Sequence, residues 1–150
     1  MLLKYPIAGL FLFNATLLAQ NPDTAKSINI VVQALDGRNG KPLANQRLLV
    51  FTGLSLDAAK SHAEHTSLTT NKEGIGALTI YPAETHWIQV WADGRVLCQP
   101  DPNQSGFSVP MIMSTGLAAP NNCGPIARKP EPSHLVIFAR PARVIEKIKH

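Results

Sequence analysis

The residues of this chain best suited to chemistry are its histidines. His62 and His65 flank Glu64 in "SHAEH". Side chains three apart share one face of a helix, so both imidazoles would converge there if the segment were helical. His86 could supply a third ligand, and three such donors with a water make a zinc site. The stretch "GLSLDAAKSHAEH" reads more readily as a loop with one helical turn, in which these are ordinary surface histidines. A small periplasmic metal-binding protein using His62, His65 and His86 is therefore the alternative reading, and the leading one needs no cofactor.

Two further groups carry chemistry by residue type. Met111 and Met113 in "PMIM" offer thioethers of the kind Cu(I) prefers, but they fall at strand period with Phe107 and Val109, as a core face does. Core packing is the expectation there. Trp87, Gln89 and Trp91 share one face of a strand whose other face carries His86, Ile88 and Val90. Pointing outward, the tryptophans make an aromatic strip suited to stacking on sugar rings or gripping a protein. Pointing inward, which is the expectation for so much ring area, they are the heaviest part of the core. This face is still the best ligand-binding candidate of the body.

No nucleophilic triad is recognisable. The serines lie in turns and strand edges without a Gly-x-Ser-x-Gly elbow, and Asp36, Asp57, Asp93 and Asp101 occupy turn or loop positions that Asp favours for conformational reasons. An enzyme needs a convergent set, and none is in view.

The start of the chain fixes the compartment expected for these residues. Lys4, the uncharged run "YPIAGLFLFNATLL" and Ala19-Gln20 have the layout of a secretory signal peptide, read here as residues 1–19 with cleavage after Ala19. A retained membrane anchor is the alternative, although Asn14 and Thr16 interrupt a run that would need about 20 apolar residues to span. The remaining length suits one ordinary domain, read as 27–140. No second long apolar run follows, so no span is expected after cleavage.

The basic excess sits in the tail, where six basic side chains from Arg128 to Lys149 face only Glu131 and Glu146. A nucleic-acid binder would carry its basic stripe on the domain itself, and that function is excluded. The two cysteines, Cys98 and Cys123, form an even pair in a chain expected to be exported, which predicts a disulfide; two separate buried thiols are the alternative.

The elements that must position these residues are short strands. Ile28, Ile30, Val32 and Ala34 fall on one face, and Leu48 and Val50 oppose Leu49 and Phe51 in a strand that reads as covered on both sides. "NKEG" between Thr66–Thr70 and Ile75–Tyr81, and Asp93-Gly94 between Thr85–Ala92 and Arg95–Gln99, read as hairpin turns. Phe107 to Met113 reads as a strand whose Pro110 places it at an edge. His134 to Ala139 is the last strand, and 141–150 reads as a short helical tail opened by Pro141. The tail could cover an open end of the fold or rest on an anionic membrane surface. The sum is an all-β antiparallel sandwich of about 7–8 strands with a short C-terminal helix.

At "DGRNGKPLANQRLLVFTG" followed by "TSLTTNKEGIGALTIYP" the chain resembles a transthyretin-like (prealbumin-like) module, of the kind called carboxypeptidase regulatory-like or bacterial Ig-like. In such modules a "G.PL.." turn leads into the second strand and a "T...G...L.I" hairpin follows. The resemblance covers roughly Ile28 to Val90. The second half, with "STGLAAPNNCG" and "HLVIFARPARVIEKIKH", resembles short exported bacterial proteins without an assigned activity.

What this implies is a fold and a compartment, since fold does not dictate function. Two enzyme families of similar architecture do not fit. Intradiol dioxygenases hold iron with two Tyr and two His, whereas Tyr81 would be the only tyrosine left after cleavage; hydroxyisourate hydrolases end in Tyr-Arg-Gly-Ser, whereas this chain ends in "KIKH". The expectation is an exported, periplasmic or secreted, non-catalytic module that binds a protein or glycan of the cell envelope or plays a structural role. A homo-oligomer formed through a strand edge stays open, with Pro110 in the candidate edge strand arguing against open-ended pairing.

Overall fold

The computed structural model describes residues 26–143. The signal peptide read at 1–19 and most of the helical tail lie outside the described residues. In chain order the elements are β1 (Ile28–Asp36), β2 (Arg47–Gly53), α1 (Leu56–Lys60), β3 (His65–Thr69), β4 (Ile75–Ile80), β5 (Trp87–Ala92), β6 (Arg95–Leu97), β7 (Phe107–Ser108), α2 (Val109–Thr115), β8 (Leu117–Ala118) and β9 (His134–Pro141). No helix among the described residues is long and apolar enough to cross a membrane.

The strands form two sheets. One runs β4-β1-β9-β6 with β8 also paired to β9, and the other runs β3-β2-β5-β7. Because side chains alternate across a strand, each sheet offers one apolar face, and both contribute to a single buried cluster. Ile30, Val32 and Ala34 of β1 meet Leu48 and Val50 of β2, Ile88 and Val90 of β5, and Leu135 and Ile137 of β9 there. The face read for β1 is the one that is buried.

Three features differ from the sequence expectation. The first sheet is mixed, not antiparallel: β9 runs parallel to β1, from Val31 opposite His134 to Asp36 opposite Ala139, and β8 runs parallel to β9. Parallel pairing is carried by non-local contacts that no turn announces.

The two hairpin signals do reverse the chain, but their arms do not pair. β3 pairs with β2 and β4 with β1, while β5 lies in one sheet and β6 in the other. The turn chemistry itself is as expected: Gly74 has φ +73° and Asn71 accepts hydrogen bonds from the backbone of Glu73 and Ile75. A turn sets a reversal; which layer each arm joins is set by burial of its apolar face.

Third, the strand expected over Phe107–Met113 is only two residues long and passes into α2. Pro110 stands in the first turn of that helix, where its missing N–H is no loss, and so it does not guard a sheet edge. Helical spacing turns Val109 and Ile112 inward with Met113 against the core, and leaves Met111 53% exposed. The methionines therefore do not share a core face. Pro141 is likewise in β9, opposite Arg95, so no helix begins there.

The predicted disulfide between Cys98 and Cys123 is present, with Cα atoms 5.3 Å apart. It holds the Pro- and Asn-rich segment after β8 against the turn that follows β1. Asn121 donates from Nδ2 to the carbonyls of Gly37 (2.8 Å) and Ile126 (2.9 Å), and Asn122 N–H bonds Cys98 O at 2.9 Å. A Cβ on Gly37 would lie 2.6 Å from Cys98 Sγ and from Asn121 Oδ1. The segment docks this closely only because that residue has no side chain.

Beside it, Asp36 Oδ2 accepts from Arg38 Nη2 at 2.9 Å and Oδ1 accepts from the Arg38 backbone. The Arg38 side-chain hydrogen bond holds the Asp36 carboxyl below its ordinary value, partly opposed by burial.

Reduction spans a sequence separation of 25 residues and is expected to cost about 3 kcal/mol in denaturant unfolding compared with and without reductant; a loss below ~1 kcal/mol would show that the hydrogen bonds alone hold the segment. The lowered carboxyl of Asp36 contributes stability above the unfolded-state value, about pH 4, and that contribution fades as pH falls through its folded value. Asp36→Asn is thus expected to flatten the stability profile below pH 4, and an unchanged acid limb contradicts the assignment.

Candidate functional site

Strand β5 decides what faces solvent on the second sheet. Its β-branched pair Ile88 and Val90 is fully buried between the sheets, so Trp87, Gln89 and Trp91 point to the outer face. The expectation that the tryptophan side belongs to the core is therefore reversed. Both sides of this strand are apolar enough to be buried, and the compact aliphatic side is the one that fills the inter-sheet space.

Register builds the site across three strands. Phe51 of β2 lies opposite His65 of β3 on one side and Gln89 of β5 on the other, and Leu49 lies opposite Ser67 and Trp91. On the next row Gly53 faces Trp87, and α1 closes over that glycine, with Ala59 fully buried beneath it. The helix is the single turn expected, capped by Ser55, whose hydroxyl accepts from Ala58 N. Lys60 reaches Gln104 at 3.2 Å and so ties α1 to the loop after β6.

After α1 the chain turns at His62, whose φ of 58° is uncommon for any residue with a Cβ. Such a conformation persists where its surroundings over-determine it. Here the ring stands 4.3 Å from Phe51 and 4.6 Å, edge-on, from Trp91 (centroid distances), and its Nε2 lies 2.7 Å from Gln89 Oε1. Phe51 also meets Trp91 in a T-shaped contact at 5.2 Å and His65 at 5.7 Å. A close aromatic pair of this geometry is worth about 0.5–1.5 kcal/mol beyond the area it buries.

Gln89 orients the His62 ring. It is fully buried although it lies on the outer face, because the 100–106 loop folds over it. Its Nε2 donates to Pro102 O (2.9 Å) and Ser105 O (3.1 Å). That leaves Oε1 towards His62, and because a carbonyl oxygen only accepts, Nε2 of His62 carries the hydrogen.

The histidines thus come together for a reason other than the one the spacing suggested. His62 is in a turn and His65 in a strand, so no helix face presents them, yet both rings stand on Phe51. His86 is exposed at the entry to β5, where its position alternates with Trp87 and Gln89, and its backbone bonds Gly53 and Val109. Among the described residues no three His, Cys, Asp or Glu side chains form a group that could hold a metal ion.

The expected trio Trp87, Gln89 and Trp91 divides. Trp91 is 36% exposed in the aromatic cluster, Gln89 is the buried brace, and Trp87 lines a groove beside the 100–106 loop. Phe51, absent from the expected set, is the ring on which the cluster is built. Its signal was the two-sided apolarity of β2, which implied a cover on the outer face.

No protein-family model matches the chain, and neither a curated protein nor a solved structure is similar to it.

Replacing Gln89 by Leu leaves His62 Nε2 and two loop carbonyls without their partner. The expected result is a loss of about 2–3 kcal/mol in denaturant unfolding, with faster amide exchange across 100–106. A variant as stable and as protected as the parent would mean that the brace does not hold the site.

Proposed function

We propose that the chain is an exported, non-catalytic β-sandwich module of transthyretin-like type that acts by surface contact with a protein or glycan of the cell envelope. The observation that supports this reading is the cluster of Trp91, His62, Phe51 and His65 on the outer face of β3-β2-β5. A soluble sheet face facing water is ordinarily polar, whereas this one presents a part-exposed tryptophan held edge-on by its neighbours.

Rigid, pre-positioned aromatic side chains are what recognition surfaces use, because little conformational freedom is lost on contact. Sugar C–H faces and apolar protein anchors are both accepted by such a ring. The polar residues on the same face, Ser67 bonded to Arg47 at 3.0 Å and exposed Thr69, suit the hydrogen-bonding rim of an interface.

Trp91→Ala tests the proposal, since the residue is exposed enough to remove without opening the core. Binding of purified envelope glycans on an array, and of envelope proteins captured by a photo-crosslinker at position 67, is expected to fall tenfold or more, the loss of a hot-spot side chain. Because Trp91 also meets Phe51 and His62, the variant should lose about 1–3 kcal/mol of stability, and binding is compared where both proteins are fully folded. Equal binding by parent and variant removes the basis of the proposal.

A further inference from the structure

Away from the aromatic cluster, at the β7 edge of the same sheet, lies an open groove of about 450 Å³ bounded by Trp87, Gln99, Phe107, Met111, Leu117 and Pro120. Its size falls within the roughly 300–1,000 Å³ of small-molecule sites. None of its eleven lining residues is charged. One of them is anomalous. Gln99 is only 5% exposed, and its Nε2 has no hydrogen-bond partner among the described residues.

A buried amide without a partner is costly, and native structures retain few of them. That donor is itself closed to solvent, so an acceptor oxygen arriving with the occupant meets it once the Gln99 side chain turns into the groove it lines. The uncharged lining sets the rest of the chemistry, because a charged ligand would leave water without a compensating partner. Met111, more than half exposed on α2, stands at the rim with an unbranched thioether able to adapt to an occupant's shape.

We propose that this groove is a binding site for a neutral, largely apolar small molecule carrying a carbonyl or ether oxygen, which the Gln99 amide receives. The aromatic cluster takes no part. Trp91, His62 and Phe51 are not among the residues that line the groove, so this proposal stands or falls separately from the surface-contact function.

The test uses 9-fluorenone and fluorene, which share a ring frame and differ in a carbonyl against a methylene. In the full, disulfide-bonded chain carrying Trp91→Phe, Trp87 is the one remaining indole, and its fluorescence reports occupancy. Fluorenone is expected to bind about five- to tenfold more tightly than fluorene, the worth of one hydrogen bond in a dry site. Gln99→Leu should abolish that preference while both probes still bind, and Met111→Ala should weaken both.

In the chain with Gln99 intact, the side-chain amide resonance of Gln99 should shift with fluorenone and not with fluorene, a readout that does not depend on the variant folding. Equal affinity for the two probes, a preference that survives Gln99→Leu, or binding of neither probe overturns the proposal.

Discussion

The hydrogen-bonded side chain of Gln89 is the constraint on which the outer face depends. A glutamine on the solvent side of a central strand would normally stay in water. Here it is fully buried, with every stated bond directed at a segment that has no regular structure: the turn at His62 and the loop at Pro102 and Ser105. Two connections remote in sequence are thereby fixed to one strand. With His62 held, Phe51 and Trp91 have a partner that orders them; with the loop held, the groove beside Trp87 has a wall.

The disulfide corner does the same work for the opposite layer. The segment from Ala119 to Ile126 has little regular structure, yet it is bonded to Gly37 and Cys98 and covers Leu35, Val136 and Phe138. That face of the five-stranded sheet is closed by covalent and polar anchoring. The outer face of the four-stranded sheet is covered only in part, by α1 and one loop, and its remaining aromatic surface is open. The asymmetry between a sealed sheet and a half-covered one is what makes the second the face proposed for contact.

Period-two alternation made most strands legible, and turn residues marked where the chain reverses. What alternation does not encode is phase when both sides are apolar, as in β5, or partnership when the pairing strand is distant, as for β1 with β9. Short apolar segments next to a proline are equally ambiguous. Phe107 to Met113 satisfies strand spacing and helix spacing alike, and the helix prevails because Val109 and Ile112 then both reach the core. The cysteine pair was legible from compartment and count. The site was legible in its members, since His62, His65, Gln89 and Trp91 were all marked, but not in its logic, which rests on Phe51 and on a buried amide bond.

Trp91 stands on an open face and not in the core, and the proposed recognition rests on that placement. In a Trp87→Phe chain, where Trp91 is the reporting indole, acrylamide quenching measures this directly. Efficient quenching is expected in the free protein, and marked protection once purified envelope glycan or a crosslinked envelope protein is bound. An indole as poorly quenched as a buried one, or quenching unchanged by any such partner, would contradict the proposed recognition.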